Sequence, residues 1–551
     1  MNNSTNESKP CLIETRQGLS VLYKERYLYS KYNPAVAIET YLSTLEIKEN
    51  TLVVCFSPVL GYGLELLTKK LPKTSFAIII EVDEQLFNLY SLNKIPENIG
   101  IIEPKDIVKI PQLFYRQNQI TSNNIKIPNP GSFKNCIRID FSAGTNFHES
   151  IYNEIYTSLE QNISFFWKNR LTLVKLGRLY NRNTIKNLSK IPFSNPLKVN
   201  SINKTIIVLG AGPSLNNISK SIQKLNQKER KQFYIIAVDV ALNHLLQQDI
   251  TPDAVVAVES QLAIQKAHIN ANNKNIKLFA DLSSRPSVLR NYQDISFFFS
   301  EFSDIEFIKT LKDNNIFPMT IQPLGSVGIT ATEIAIKLRK SENIPILVGG
   351  LDFSFSPGET HAKETMQYLS LLNESNRIKP IGNFNAAFSS GKKVKGINGT
   401  VYTDYILTQY NQIFYTKYFN KKNIFNIAKQ GLDLGIPLSN IEKFIHSTKI
   451  NDEKNINTDI NQDLIIEKII YFYNNEKKAL LTLKKYLTKG GATEDELLSI
   501  LKKREYLYLH FPDGHKLSTR IDFLKRIRAE IDFFLKDINL GLKEIEERLK
   551  T

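Results

Sequence analysis

Twice along this 551-residue chain, a run of β-friendly apolar residues stops at a glycine turn and restarts as a helix. The first is "TLVVCFSPVLGYGLELL" from Thr51, and the second is "TIIVLGAGPSL", residues 205–215. A buried strand feeding a helix through a tight turn is half of a β-α-β unit. Strands that alternate with helices in this way require a parallel sheet covered on both faces. In the first stretch Thr51 to Phe56 reads as a strand, Gly61 and Gly63 occupy the turn, and Ile78 to Ile80 forms a second strand ending at Glu81. An acid at that position holds the nucleoside ribose in dinucleotide and methyl-donor sites. Here the third glycine is missing and Pro58 and Val59 displace the turn, which favours a structural or degenerate Rossmann-like unit over a working cofactor site.

The second stretch opens a fuller series. Ile206 to Leu209, "FYIIAV", "PDAVVAVES" ending at Glu259, "IKLFADLSS", "ISFFFS" and "IPILVGGLDF" read as strands separated by helical segments. A doubly wound, mostly parallel sheet over about 170–365 is expected, with its functional loops at the carboxyl ends of the strands. Beyond it the chain turns helical. Gly490 and Gly491 stop one helix, Thr493 to Glu496 is a capping box opening another, and the last 30 residues carry apolar side chains at helical spacing, as a bundle or a partner-binding coil would. Three domains follow: an amino-terminal Rossmann-like α/β domain at 1–165, a central α/β domain at 166–365, and a mainly helical domain at 366–551. A chain this long exceeds one hydrophobic core.

Composition narrows the partners. Basic residues number 71 against 55 acidic, a net charge of +16, but no dense Lys/Arg block stands out. A diffuse basic surface with one local anion site fits better than a nucleic-acid-binding stripe. Cys11, Cys55 and Cys136 lie far apart without metal-ligand spacing, as unpaired thiols in a reducing compartment would. The start "MNNSTNESKP" has no apolar signal core and no run reaches membrane-span length, so a cytoplasmic protein is expected.

Chemistry concentrates at the ends of the central strands. Gly210 and Gly212 let the backbone turn sharply and aim N–H groups at an anion, and Pro213 suits a first helical position. A phosphate there gains roughly 0.3–1 kcal/mol from the helix dipole. Any tight strand-to-helix turn has the same geometry. No Gly-Lys-Ser/Thr follows, and Leu215 stands where a dinucleotide fingerprint has its third glycine. Asp239 is placed to accept from a ribose or base donor. "GSVG" (Gly325 to Gly328) offers the Ser326 hydroxyl and backbone donors at another helix start. "VGGLDFSFSPGETHA" carries Asp352, Thr360 and His361 beyond the last strand. Imidazole is the side chain best suited to removing a proton near neutral pH.

Together "GAGPSL", "VDVALNHLLQQDITPDAVVAVE", "GSVG" and "GGLDFSFSPGETHA" resemble the motility-associated factor (Maf) glycosyltransferases, whose central domain is shared with 6-hydroxymethylpterin pyrophosphokinase MptE-like proteins. The order of motifs is also similar to that of bacterial sialyltransferases. "LYSKYNP", "VLGYGLELL" and "GINGTVYTD" extend the resemblance outward, while Leu351 departs from a Gln carried by many members. The resemblance implies a sialyltransferase-like α/β fold and transfer of a nonulosonic acid, pseudaminic or legionaminic in type, from a CMP donor to Ser or Thr of flagellin or another protein acceptor. By position, Gly210, Gly212 and Ser214 line the donor phosphate. Asp239, with Glu259 and Thr360 nearby, faces the nucleoside, and Ser326 and Gly328 the phosphate or sugar carboxylate. His361 transfers the proton and Asp352 shapes its loop. No cofactor or metal is expected, since CMP leaves readily and no Asp-x-Asp ends a central strand. Two other readings remain: a pyrophosphokinase using Mg²⁺ and ATP through Asp239, Glu259 and Asp281, and a non-catalytic flagellar assembly factor.

Overall fold

The computed structural model describes residues 9–89, 99–107, 125–272, 274–301, 306–313, 316, 319–356, 358–378, 380, 391–445 and 462–550. Pro357 of the "SFSPGE" loop and the amino-terminal "MNNSTNES" lie outside them. The described residues form two compact units, 1–173 and 174–551.

The first unit begins with an antiparallel ribbon of β1 (Cys11–Thr15), β2 (Gly18–Tyr23) and β3 (Arg26–Tyr27). A parallel sheet follows, built from β4 (Thr51–Phe56), β5 (Phe76–Ile80), β6 (Gly100–Ile102) and β7 (Asn135–Asp140) in the order β6-β5-β4-β7. Every residue of β4 is buried, because side chains alternate between two apolar layers. Leu52, Val54 and Phe56 pack with Ile78, Tyr152 and Leu159 on one face, and Val53 and Cys55 with Leu64, Leu67 and Ile139 on the other. A 40-residue helix, α1 (Glu149–Leu188), carries the chain onward.

The second unit is organised on a parallel sheet of β8 (Thr205–Leu209), β9 (Phe233–Val238), β10 (Ala254–Ala257), β11 (Lys277–Asp281), β12 (Asp294–Ser300), β13 (Thr320–Ile321), β14 (Ile346–Gly349) and, after an antiparallel hairpin of β15 (Lys392–Gly396) and β16 (Gly399–Thr403), β17 (Ile424–Asn426). Among the described residues its order is β13-β12-β11-β10-β9-β8-β14-β17. Val208 pairs with Ile236 on one side and Val348 on the other, so β8 is central, and the order reverses between β8 and β14. All strands run parallel, and their carboxyl ends share one edge. The sheet does not stop at residue 365: β17 pairs with β14. At three residues it is too short to show a period in the sequence.

The helical region lies within the second unit. A helix ends at Lys489 before Gly490 and Gly491, both at positive φ, and Thr493 and Glu496 form the reciprocal capping box. The last helix, Ile521–Lys550, is a bundle member. Its acids recur every seven residues and meet basic residues of α1 and of the turn just past it: Arg178 pairs with Glu530 at 2.7 Å, Arg182 with Asp537 at 2.6 Å and Lys190, two residues beyond α1, with Glu544 at 2.6 Å. On its apolar face Phe523, Ile527, Ile531, Phe534 and Ile538 are buried.

Candidate functional site

The glycine turn after β8 holds its neighbour more tightly than it faces solvent. Gly210 N–H donates to the Gly349 carbonyl and Gly212 N–H to the Gly350 carbonyl, each at 2.8 Å. Ser214 N–H donates to Asp352 Oδ2 at 2.7 Å, and its hydroxyl accepts from Gly350 N–H at 3.2 Å. A Cβ at Gly210 would stand 2.4 Å from the Gly350 carbonyl oxygen, and one at Gly212 would stand 2.7 Å from Asp352 Oδ2. These glycines therefore let two loops of the sheet edge touch. Three N–H groups expected to face a phosphate are engaged by the strand next door, while Ala211 N–H bonds to no described residue. The helix begins at Leu215, so Pro213 stands before it rather than at its first position.

Asp352 sits at the centre of this contact. It is 3% exposed, and burial pushes its carboxyl up to about 6. Oδ2 accepts from Ser214, but Oδ1 is buried with no hydrogen-bond partner. Gly431, at φ +102°, lies against its Cα, and Leu432 N–H donates to its carbonyl. The next residue, Phe353, is held at φ +45°, a strained setting for a bulky side chain, with its carbonyl accepting from the Thr403 hydroxyl.

Asp239 is the first residue of the helix Asp239–Gln247 rather than the end of β9, and is 1% exposed. Oδ1 accepts from Val240 N–H at 2.8 Å, whereas Oδ2 is buried and unpartnered. Burial, with a smaller contribution from Glu259, pushes its carboxyl up to about 7. Glu259 lies two residues beyond β10, and its Oε1 accepts from the N–H groups of Ser260 and Gln261. Asp281 ends β11 with both oxygens engaged, by Ser283 and by Ser300 N–H. Among the described residues no three His, Cys, Asp or Glu side chains form a group that could hold a metal ion.

His361 is half-buried, and burial lowers its imidazole from the usual 6.5, leaving it neutral at pH 7. Nδ1 lies 3.2 Å from the Thr360 hydroxyl, and Nε2 bonds to no described residue. Sequence reasoning missed the clamp on this loop. Ala362 N–H donates to the Ala211 carbonyl and Lys363 N–H to Asn216 Oδ1. Asn243 donates to the Glu364 carbonyl, and His244 bonds the Lys363 carbonyl at 2.7 Å. The glycine turn, the Asp352 loop, the His361 loop and the Asp239 helix thus form one connected structure. Asn243 and His244 stand four and five residues past Asp239 on the same helix, a spacing consistent with a helix face committed to a partner.

Gly325 and Ser326 precede the helix Val327–Leu338, whose N-cap makes no side-chain bond. Tyr410 covers Gly325, and a Cβ at Gly328 would stand 2.9 Å from Leu351 Cγ, so this helix start abuts the residue before Asp352. Leu351 therefore fills the switch point between β8 and β14.

Residues 182–358 match the family described as 6-hydroxymethylpterin diphosphokinase MptE-like. The chain is 31% identical over 557 residues to an uncharacterized protein of Treponema pallidum (strain Nichols), covering 96% of this chain and 94% of the relative. Its fold is similar to that of a Maf glycosyltransferase from Magnetospirillum magneticum AMB-1, with a TM-score of 0.55 at 13% identity, over 99% of this chain and 91% of the other. No described helix is long and apolar enough to cross a membrane. The chain belongs to one family with the Treponema pallidum protein, carrying an MptE-like domain on a fold shared with a Maf glycosyltransferase.

Proposed function

We propose that this protein is a glycosyltransferase that moves a nonulosonic acid from a CMP donor to Ser or Thr hydroxyls of flagellin or a similar protein acceptor. The observation that carries the reading is the pair of buried carboxylates at one sheet edge, Asp239 and Asp352, each with one oxygen lacking a partner. Buried carboxylate oxygens call for donors, and hydroxyl-rich ligands such as a ribose or a sugar supply them. The fold likeness to a Maf glycosyltransferase agrees with this chemistry.

In this reading the donor phosphate is held by Ala211 N–H and by the open N–H groups at the start of Val327–Leu338, where the helix dipole favours an anion. Gly210 shapes the site by packing on Gly350 and Leu351, and Gly212 and Ser214 by packing on Asp352. Asp239 and Glu259 face the nucleoside. His361 takes the proton of the acceptor hydroxyl on Nε2 as that oxygen attacks the anomeric carbon, and Thr360 fixes the ring through Nδ1. The carbon–phosphate oxygen bond breaks, and CMP departs with its electron pair.

An ATP-dependent diphosphokinase is the second reading, favoured by the family description. Such an enzyme would call on Asp281, whose oxygens are already engaged. Calorimetric titration with CMP and with ATP plus Mg²⁺ separates the two. CMP binding without divalent metal is expected, and tight ATP·Mg²⁺ binding without CMP binding would overturn the proposal. Intact-mass measurement of flagellin from cells with and without the protein tests the acceptor.

A further inference from the structure

The ion-pair ladder between α1 and the last helix ends in an imbalance. Its final step opens into a cavity of about 740 Å³ in the second unit, lined by Lys186, Lys190, Arg285, Arg290, Lys543 and Arg548. These six cations meet three carboxylates: Glu544 and Glu547 in the wall, and Asp537, which takes Lys186 at 3.4 Å. Glu544 serves both Lys190 at 2.6 Å and Arg548 at 3.3 Å. Arg285 bonds through Nε only to the Ser287 hydroxyl, and Arg290 makes no ion pair or hydrogen bond with any described residue. Burial lowers the Lys190 ammonium, and the nearby Arg548 and Arg290 push in the same direction. Like charges gathered around one concavity are costly unless an anion neutralises them.

The wall also has an apolar side. Phe193 lines it with the Arg548 guanidinium 5.0 Å from its ring centroid, and Tyr292 lies nearby. The volume falls within the range that accepts a ligand of nucleotide size. We propose that this cavity binds a phosphorylated small molecule, at a site separate from the edge that carries Asp239 and Asp352. Arg285 and Arg290 take the phosphate oxygens, and Phe193 meets the organic part. The cavity is tied to the catalytic edge through backbone contacts. Asn183, in its wall, donates to the carbonyls of Ser260 and Ser283, and Arg285 N–H donates to the Glu259 carbonyl. An occupant would therefore stiffen the segments that follow Glu259 and Asp281. It would act as an effector rather than a donor.

The test is calorimetry on the full chain with pyrophosphate, CMP and CDP at low and high salt. Pyrophosphate should bind the wild type, weaken with salt, and weaken at least about tenfold in Arg285→Ala/Arg290→Ala, since two of its cationic partners are gone. Neither arginine makes an ion pair, so the melting temperature should hold; the single Arg290→Gln change serves if the double variant is unstable. Asp352→Asn should leave pyrophosphate binding intact, whatever it does to CMP. Tighter binding of CDP than pyrophosphate would assign the Phe193 wall to a base, and equal binding would assign the site to phosphate alone. Wild-type affinity in both arginine variants, no binding of any of the three ligands to the wild type, or loss of pyrophosphate binding in Asp352→Asn would each overturn the proposal.

Discussion

In the first unit the turn after β4 is buried under the unit's own amino-terminal ribbon. Val21, Tyr23, Leu28 and Tyr29 pack on Val59, Leu60 and Leu86, and the Tyr29 hydroxyl accepts from Leu60 N–H. Ser57 through Leu60 are all buried, and Glu81, wholly buried, accepts from the Tyr152 hydroxyl and from the N–H groups of Val82 and Asp83 through one oxygen. In the second unit the equivalent edge stays accessible: Ala211, Gly212, Glu259, Ser326, Thr360 and His361 are all partly exposed. Both units share the strand–turn–helix plan, so the plan does not decide which of them binds. What the chain lays over the carboxyl ends of the strands does.

The largest effect expected from this contrast is on catalysis. His361→Ala should lower sugar transfer by about 10²–10⁴-fold, on the order of 3–5 kcal/mol, with CMP affinity nearly unchanged. The wild-type rate should fall as pH drops through a value below 6.5, where the imidazole protonates, and that acid limb should vanish in the variant. Wild-type transfer by His361→Ala would end the assignment.

Asp239 gives the next effect, and it runs toward stability. Its carboxyl titrates near 7 in the fold against an ordinary 3.8, so between those values the folded state holds the extra proton. Stability therefore falls as pH rises from 3.8 to 7 and stays lower above it. Asp239→Asn should stabilise the protein at pH 8.5 by about 1–4 kcal/mol, have little effect near pH 4, and weaken donor binding. Thermal melts at both pH values check the sign. A variant less stable at pH 8.5 would show that Asp239 is ionised and well partnered.

Gly212→Val should cost about 1–3 kcal/mol through overpacking, because its Cβ meets Asp352 and the Gly350 carbonyl. Were the turn the phosphate cradle its composition suggests, the expectation would be a side chain that crowds the phosphate and spares the fold. Normal melting with lost CMP affinity would restore that expectation. The smallest effect belongs to the first unit. Glu81→Gln should leave CMP affinity and transfer unchanged, and a loss of either would break the contrast between the two edges.

Much of this architecture was legible along the chain. Buried strands such as Ile206–Leu209 declare themselves as unbroken apolar runs, and the Thr493–Glu496 box and the Gly490–Gly491 stop are local hydrogen-bond and φ requirements. The gathering of Asp239, Asp352 and His361 at one edge was legible because parallel strands send all their carboxyl ends the same way. The clamp from Asn216, Asn243 and His244 was not, since an amide or imidazole that caps a distant loop has the same local sequence as one facing solvent.

The sequence by itself determined the strand–helix alternation, the parallel sheet and the strand ends where polar residues collect, because these follow from the period of burial and from chain direction. Only the tertiary structure decided what each polar group touches. Gly210 and Gly212 have the composition of a phosphate cradle, yet their N–H groups bond to carbonyls about 140 residues away along the chain. The ribbon over the first unit's turn, the β17 strand beside β14 and the cations left over where the ladder ends are likewise pairings between distant segments. Hydrogen bonds and charges act through space over a few ångströms, and the chain brings those ångströms together only when it folds.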